Sequence, residues 1–559
     1  MANKRLLTSV ILILFTITMV FQIAATPVQT SGTMDVQILA LNDFHGNLVG
    51  PTGTITDEFG QRISAGGVEF LATHIKNLRQ TNPNTVVVSA GDLIGASPLI
   101  SALFHDEPTI EAFNLIGLDF NAVGNHEFDD GSAELLRMQI GGCHPEDGCL
   151  DGDGFDGAKF KFLAANVIRN DTGKSLFPRY RLKTFNGVKI AFIGMTLEGT
   201  PTIVTPTGVA GLTFLDEAET VNKLVPELKS LGVESIVVLV HEGGFPTGTY
   251  NQCPGISGPI VDIVNNLDPA VDVVISGHTH QPYNCNINGM LVTSASSFGR
   301  VLTDIDLTID LATRDVVSMS ANNMIVTRDV APDGLLSMLV NKYQTLVAPL
   351  ANRIVGRITA DILRTQNAAG ESALGDVIAD SQLFVTTDPA FGGAVVALMN
   401  PGGIRQDLLY NQSGGEGDGN VTYNEIFTVQ PFGNSLVTMT LTGEQIDSVL
   451  EQQFVGCGQT SNRILQVSQG FAYTWQASGL ACEKVDIGSI MINGVPIDPS
   501  AMYRVTVNNF LADGGDNFVA LRGGVDRLGG AVDLDAVEDY FSAFNPVMPG
   551  PQNRITMVP

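Results

Sequence analysis

Five short polar stretches carry the side chains most able to do chemistry: Asn42-Asp43-Phe44-His45, Gly91-Asp92, Gly124-Asn125-His126, His241-Glu242 and Gly277-His278-Thr279-His280. Each follows an apolar run: VQILAL (36–41), TVVVSA (85–90), LDFNAV (118–123), SIVVLV (235–240) and VDVVIS (271–276). Asp, His and Asn are nitrogen and oxygen ligands without a thiolate, a set that suits Zn, Mn, Fe or Co. Seven candidates, Asp43, His45, Asp92, Asn125, His241, His278 and His280, exceed the needs of one ion. Two ions sharing a carboxylate, about 3.5–4 Å apart, are the economical arrangement. A single Asp or His after a strand is usually a cap or turn residue. Five such stretches in the same position relative to their strands weaken that reading, because sites in α/β sheets collect beyond the carboxyl ends of strands.

The elements that must position these residues read as α/β. Between the β-branched runs lie amphipathic segments such as GGVEFLATHIKNLRQ (66–80) and LDEAETVNKLVPELKSLG (215–232). The chain has 559 residues, too many for one ordinary core. Its character changes near residue 328, where VAPDGLLSMLVNKYQTLVAPLANRIVGRI (330–358) reads as a connecting helix. A second α/β region follows, with strands in AVVALMN, LVTMTLT and YRVTVNNF. The expected division is 34–327, a linking helix over 328–358, and 359–559. The Asp- and Gly-rich stretch at 147–160 reads as a solvated loop, and no Glu falls where an EF-hand requires one.

Lys plus Arg number 30 and Asp plus Glu 58, a net charge of −28. Such a surface repels nucleic acid, so an anionic substrate must be met by local cations, either metal ions or a few placed arginines. MANKR followed by LLTSVILILFTITMVFQIAA has the form of a signal peptide, with small residues for cleavage near Ala25. An uncleaved anchor is the alternative, and only that would give a membrane association. Either way a secreted, periplasmic or cell-surface location is expected. Six cysteines fall in three neighbourhoods, Cys143 with Cys149, Cys253 with Cys285 and Cys457 with Cys482, and read as disulfides of an exported protein. Six cysteines allow 15 connectivities, so pairing by neighbourhood is an expectation only.

In order, DFH, GD, GNHE, H and GHTH resemble the calcineurin-like metallophosphoesterase motifs. The second region carries GESALGDVIAD, NPGGIR, VQPFGN, LTG and NNFLADGGDNF, and the whole chain resembles the exported 5′-nucleotidase family, which includes UDP-sugar hydrolases and 2′,3′-cyclic-nucleotide phosphodiesterases. The resemblance implies a β-sandwich flanked by helices, followed by a smaller α/β substrate-binding domain. It implies two divalent metal ions, one held by Asp43, His45, Asp92 and His280, the other by Asp92, Asn125, His241 and His278. His126 would lie outside the metal shell and stabilise charge on the phosphoryl group, with Asp129 behind it; Asp130 is also available by position. Asn400 and Arg405 would bind the substrate, Phe432 and Phe510 would sandwich the base, and Asp516 would accept from a ribose hydroxyl. Some family members have an arginine directly before the ESxLG motif; here that residue is Gly370, and Arg364 is the nearest upstream arginine.

The activity so implied is release of phosphate from nucleoside 5′-monophosphates by in-line attack of a metal-bound hydroxide. A 2′,3′-cyclic-nucleotide phosphodiesterase or 3′-nucleotidase, a UDP-sugar hydrolase, and a non-catalytic exported nucleotide-binding protein are the alternatives. The linking helix would be the hinge about which the second domain rotates.

Overall fold

A computed structural model describes residues 32–204 and 207–559. The expected signal peptide lies outside the described residues. Two six-stranded sheets form the first half of the chain. In the first, strands Thr33–Leu41, Thr85–Ser89, Phe120–Ala122 and Lys161–Leu163 run parallel, and the antiparallel pair Val301–Asp310 and Val316–Ile325 closes one edge. In the second, Met290–Ala295, Val273–Ser276, Ser235–His241 and Val188–Thr196 run parallel between antiparallel edges Pro282–Ile287 and Tyr180–Phe185.

Side-chain alternation explains how these sheets stack. Val36, Ile38 and Ala40 join Val86, Val88, Phe192, Val237, Leu239 and Ile275 in one core between the two sheets. Leu39 and Leu41, on the other face of the same strand, pack under the helices Val68–Arg79 and Glu107–Ile116. Val238 and Val240 likewise face the helices Glu217–Ser230 and Pro259–Asn266. Strands buried on both faces read as continuous apolar runs, which is why VVVS and IVVLV carry no polar alternation. The result is a β-sandwich with helices on both outer faces, the architecture that the resemblance implies.

The linking helix covers Gly334–Ala351, shorter than the expected 328–358. Asp333 caps it, accepting from the backbone N–H groups of Leu335 and Leu336. Past Pro349 and Asn352 the chain turns extended, and Ile354–Arg357 is a strand paired with Asn420–Thr422. β-branched Ile354 and Val355 favour that state. Leu336 and Val340 belong to the core of the first half, and Tyr343, Val347 and Ala351 pack on Leu99, Ile100 and Phe104.

The stretch at 147–160 does more than contact solvent. Asp151 Oδ2 accepts from Lys342 Nζ at 2.6 Å and from the Tyr343 hydroxyl at 2.9 Å, which ties this loop to the linking helix. The second half is built on a five-stranded sheet ordered Gln466–Val467, Val396–Met399, Met502–Asn508, Ser435–Thr442, Val525–Val532, beside a four-stranded sheet that includes Phe471–Gln476 and Ile555–Val558. All three disulfides join neighbours: Cys143–Cys149, Cys253–Cys285 and Cys457–Cys482.

Candidate active site

Beyond the strand ends the backbone bends into conformations that most residues avoid. Asp43, His45, Asp92, His278 and His280 have φ of 50°, 47°, 50°, 68° and 57°, all left-handed. Non-glycine residues held there cost of order 1–3 kcal/mol each and persist where the surroundings over-determine them. The surroundings are visible. Glu127, 3% exposed, accepts from the backbone N–H groups of Asp92, Leu93 and Gly124 at 2.9, 2.9 and 2.6 Å and from Asn121 Nδ2 at 3.1 Å, tying the second strand end to the third. Asn42 donates to Asp43 Oδ2 and to the Ser296 carbonyl, both at 2.6 Å. Gly124 is required for space, not for its dihedral: a Cβ there would stand 2.2 Å from Asp92 Oδ1.

The side chains so aimed form two triplets, Asp43 with His45 and His280, and Asp92 with His241 and His278; within each the ligand atoms lie within 4.8 Å of one another. Asp92 stands between them, its Oδ2 3.6 Å from His45 Nε2 and 2.9 Å from His241 Nε2. Asn125 Oδ1 is 3.2 Å from His241 Nε2. Asp43, His45, Asp92, Asn125 and His241 are all at most 2% exposed.

The donor chemistry fits divalent cations. His45 Nδ1 donates to the Gly95 carbonyl and His241 Nδ1 to the Ala90 carbonyl, both at 2.8 Å. A carbonyl only accepts, so each Nε2 points a lone pair inward when the ring is neutral, the orientation that metal-ligating histidines adopt. His45 Nε2 and His280 Nε2 then face each other at 3.2 Å. Two buried carboxylates share this space with no ion pair to Lys or Arg among the described residues. Buried charge without a partner is costly. Burial opposes a charge on His241, but Asp92 and Asp43 outweigh it and hold that imidazole up at about 10. The pocket thus demands positive charge. Burial pushes His45 and His278 down to about 3, as neutral donors.

His126 stands beside this cluster. Its backbone N–H donates to Asp92 Oδ1 at 2.9 Å, and its Nδ1 lies 2.8 Å from Asp129 Oδ2. Asp129, rather than Asp130, makes that bond. Burial opposes the imidazolium, yet Asp129 and Asp92 shift the ring toward it.

The second half closes over the cluster, and Phe432 stacks on the His126 ring with centroids 5.8 Å apart. Between the halves lies a cleft of about 310 Å³. Asn125, His126, Asp129 and His278 line it on one side, and Asn400, Arg405, Phe432, Phe510 and Asp516 on the other. Arg405 lies over the Phe432 ring, 5.8 Å from its centroid. Asp516 Oδ2 accepts from Asn400 Nδ2 at 2.9 Å, and Oδ1 pairs with Arg463. At Gly515 a Cβ would fall 2.4 Å from the Phe510 ring, so any other residue would displace that ring.

Arg364 is the one candidate that the structure does not bring in. It donates to the Ile404 carbonyl and lines a separate hollow with Thr365 and Gln366. Among the polar residues that line the cleft, Arg463, Asn434 and Asn508 lie outside the sequence reading, as do the apolar Ile203 and Val204. Asn434 and Asn508 sit within QPFGN and NNFLADGGD, so those motifs held the signal. Arg463 follows a helix with no motif around it.

Comparison with known proteins gives two family matches: "Calcineurin-like phosphoesterase" over residues 36–282 and "5'-nucleotidase, C-terminal domain" over residues 354–523. The chain is 33% identical to Endonuclease YhcR of Bacillus subtilis (strain 168) over 93% of its own length, and 32% identical to Cell wall protein Lmo0130 of Listeria monocytogenes over 88%. It spans only 41% and 64% of those two relatives. The crystal structure of a 5′-nucleotidase precursor from Thermus thermophilus superposes with a TM-score of 0.74 at 27% identity, covering 94% of this chain and 99% of that one.

Proposed function

The chain belongs to the family that joins a calcineurin-like phosphoesterase domain to a 5′-nucleotidase C-terminal domain, and from that premise we propose an exported phosphohydrolase that uses two divalent ions to release phosphate from nucleoside 5′-monophosphates. One observation carries the reading. Two ligand triplets, between which Asp92 stands, lie behind a cleft lined on that side by Asn125, His126 and His278 and on the other by Arg405 and two phenylalanines.

On this reading Asp43, His45, Asp92 and His280 hold one ion, and Asp92, Asn125, His241 and His278 the other. Bound divalent ions supply Lewis-acid charge neutralisation at phosphorus and an activated water. The remaining work falls to the chain's own groups. Asp129 fixes Nδ1 of His126 and favours the charged ring, which leaves Nε2 to donate to a phosphoryl oxygen as negative charge spreads. Preorganised donors of this kind are usually the largest catalytic contribution. Arg405 supplies a second fixed cation to the phosphate. Phe432 and Phe510 offer flat faces to a base, and stacking tolerates several bases. Asp516, oriented by Asn400 and Arg463, accepts from the ribose.

Residues 34–327 and 359–559 act as metal and substrate domains, joined through 328–358. A nuclease reading is suggested by the name of the Bacillus relative, but a cleft of about 310 Å³ and a net charge of −28 favour a mononucleotide over a polymer. The test is turnover of AMP, UMP, UDP-glucose and 2′,3′-cyclic AMP, with and without added Mn²⁺, Zn²⁺ or Co²⁺, read by chromatography of the nucleoside and nucleotide products, because cleavage of UDP-glucose or ring opening of the cyclic nucleotide does not itself release phosphate. The monophosphates should react fastest. Faster turnover of UDP-glucose or the cyclic nucleotide would move the assignment to those substrates.

A further inference from the structure

Of eight histidines, two that play no part in the cleft meet on the surface of the first half. His105 and His144 stack with ring centroids 3.8 Å apart and planes 12° apart. Their nitrogens and a carboxylate oxygen of Glu134 lie within 4.8 Å of one another. Asp147 Oδ2 stands 2.9 Å from His105 Nε2 and 3.3 Å from His144 Nδ1. We propose that His105, His144, Glu134 and Asp147 form a third metal site, separate from the cleft, for a borderline divalent ion such as Zn²⁺.

The ligand set argues for the ion. Two imidazoles and two carboxylates are the nitrogen and oxygen donors of tetrahedral Zn²⁺, at about 2.0–2.2 Å from the metal. Ligand atoms around such an ion stand roughly 3.3 Å apart by tetrahedral geometry at those lengths, so filling the site needs His105 Nε2 and Asp147 Oδ2, now 2.9 Å apart, to part slightly, any wider pair to close, and one stacked ring to turn. All four side chains keep some solvent access, at 21% for His105, 18% for His144, 12% for Glu134 and 50% for Asp147, so an ion can enter.

The supports are rigid. His105 and Asp106 are consecutive left-handed residues, with φ of 53° and 61°. Asp106 is locked beneath by Gly95 N–H at 3.0 Å and the Ser101 hydroxyl at 2.6 Å. His144 and Asp147 lie in the loop closed by Cys143–Cys149. Glu134 sits on the helix Gly131–Ile140, held by Arg137 Nε at 3.0 and 2.8 Å and by Nη2 at 2.6 Å on Oε1. Its Oε2 accepts only one of these bonds and keeps a lone pair for a metal.

The experiment compares the full chain with the double variant His105→Gln/His144→Gln after equilibration at micromolar free Zn²⁺ and gel filtration. Zinc per chain should fall by one equivalent in the double variant, with kcat for phosphate release unchanged. Because the readout is a difference, the number of ions in the cleft cancels, and failure of the catalytic assignment leaves the test intact. An unchanged circular-dichroism spectrum and urea-unfolding midpoint report that the variant is folded, whether or not the chain releases phosphate. Diffraction at the zinc edge should also give an anomalous peak at the nitrogen edge of the two imidazoles, facing Glu134 and Asp147. Equal zinc content in both proteins, or no peak there, overturns the site.

Discussion

Asp129→Asn tests how much of the chemistry rests on the His126 pair. The carboxylate accepts from His126 Nδ1 at 2.8 Å, and the two side chains are only 21% and 14% exposed, so water screens the pair weakly. A hydrogen bond to a charged group contributes about 1.5–3 kcal/mol, which converts to a loss of about 10- to 150-fold. The carboxamide is nearly isosteric, and Asp129 belongs to neither ligand triplet, so bound metal should stay at the native level. The loss should fall on kcat, because the imidazolium acts as charge builds on the phosphoryl oxygens. The assay is steady-state phosphate release from AMP, with metal content measured on the same preparation. A native kcat would refute the role given to the pair. A matching loss of metal would show that Asp129 supports the metal cluster instead.

Asp92→Ala should remove metal from both positions and abolish turnover, read by metal analysis; full occupancy would exclude Asp92 as the shared ligand. His126→Ala should keep its metal while losing most of kcat. Phe432→Ala should raise KM for AMP by roughly 5- to 150-fold, since base–aromatic stacking is worth about 1–3 kcal/mol, whereas Arg364→Ala should leave both constants unchanged. Far from the cleft, burial pushes Asp272 up to about 7, although its Oδ2 accepts from Ile236 N–H at 2.8 Å. Its native form binds more protons than the unfolded chain between about pH 4 and 7, so its contribution to stability falls as pH rises through that window. The shift corresponds to at most about 4 kcal/mol. Asp272→Asn should therefore gain on the native protein in urea unfolding at pH 8 relative to pH 5, and an equal difference at both pH values would contradict this.

The proposed metal ligands were legible because each sits one to four residues past an apolar run, and parallel strands place such positions on one rim. His241 is the exception that ends its strand, yet it reaches the same rim. What braces them was less legible. Glu127 reads as a cap or as a hydrogen-bond acceptor behind the ligands in GNHE, while the partners of its four hydrogen bonds depend on two strand ends meeting in space. Gly124 reads as a turn glycine, while the real constraint is the Asp92 carboxylate from another strand. Arg463 had no local signal, since only the loop joined by Cys457–Cys482 and the GGD turn bring it to Asp516. The helix pattern over 328–358 ran on because apolar spacing does not register where pairing with a distant strand takes over, as it does at Ile354.

The most direct measurement follows phosphate release from AMP by the purified, chelator-treated chain as Mn²⁺ is returned, with bound metal counted per chain. The account predicts no release without metal, and recovery of equal amounts of adenosine and phosphate as the ligands in the cleft fill. Release that persists without metal, or none from any nucleoside 5′-monophosphate in the loaded protein, would contradict it.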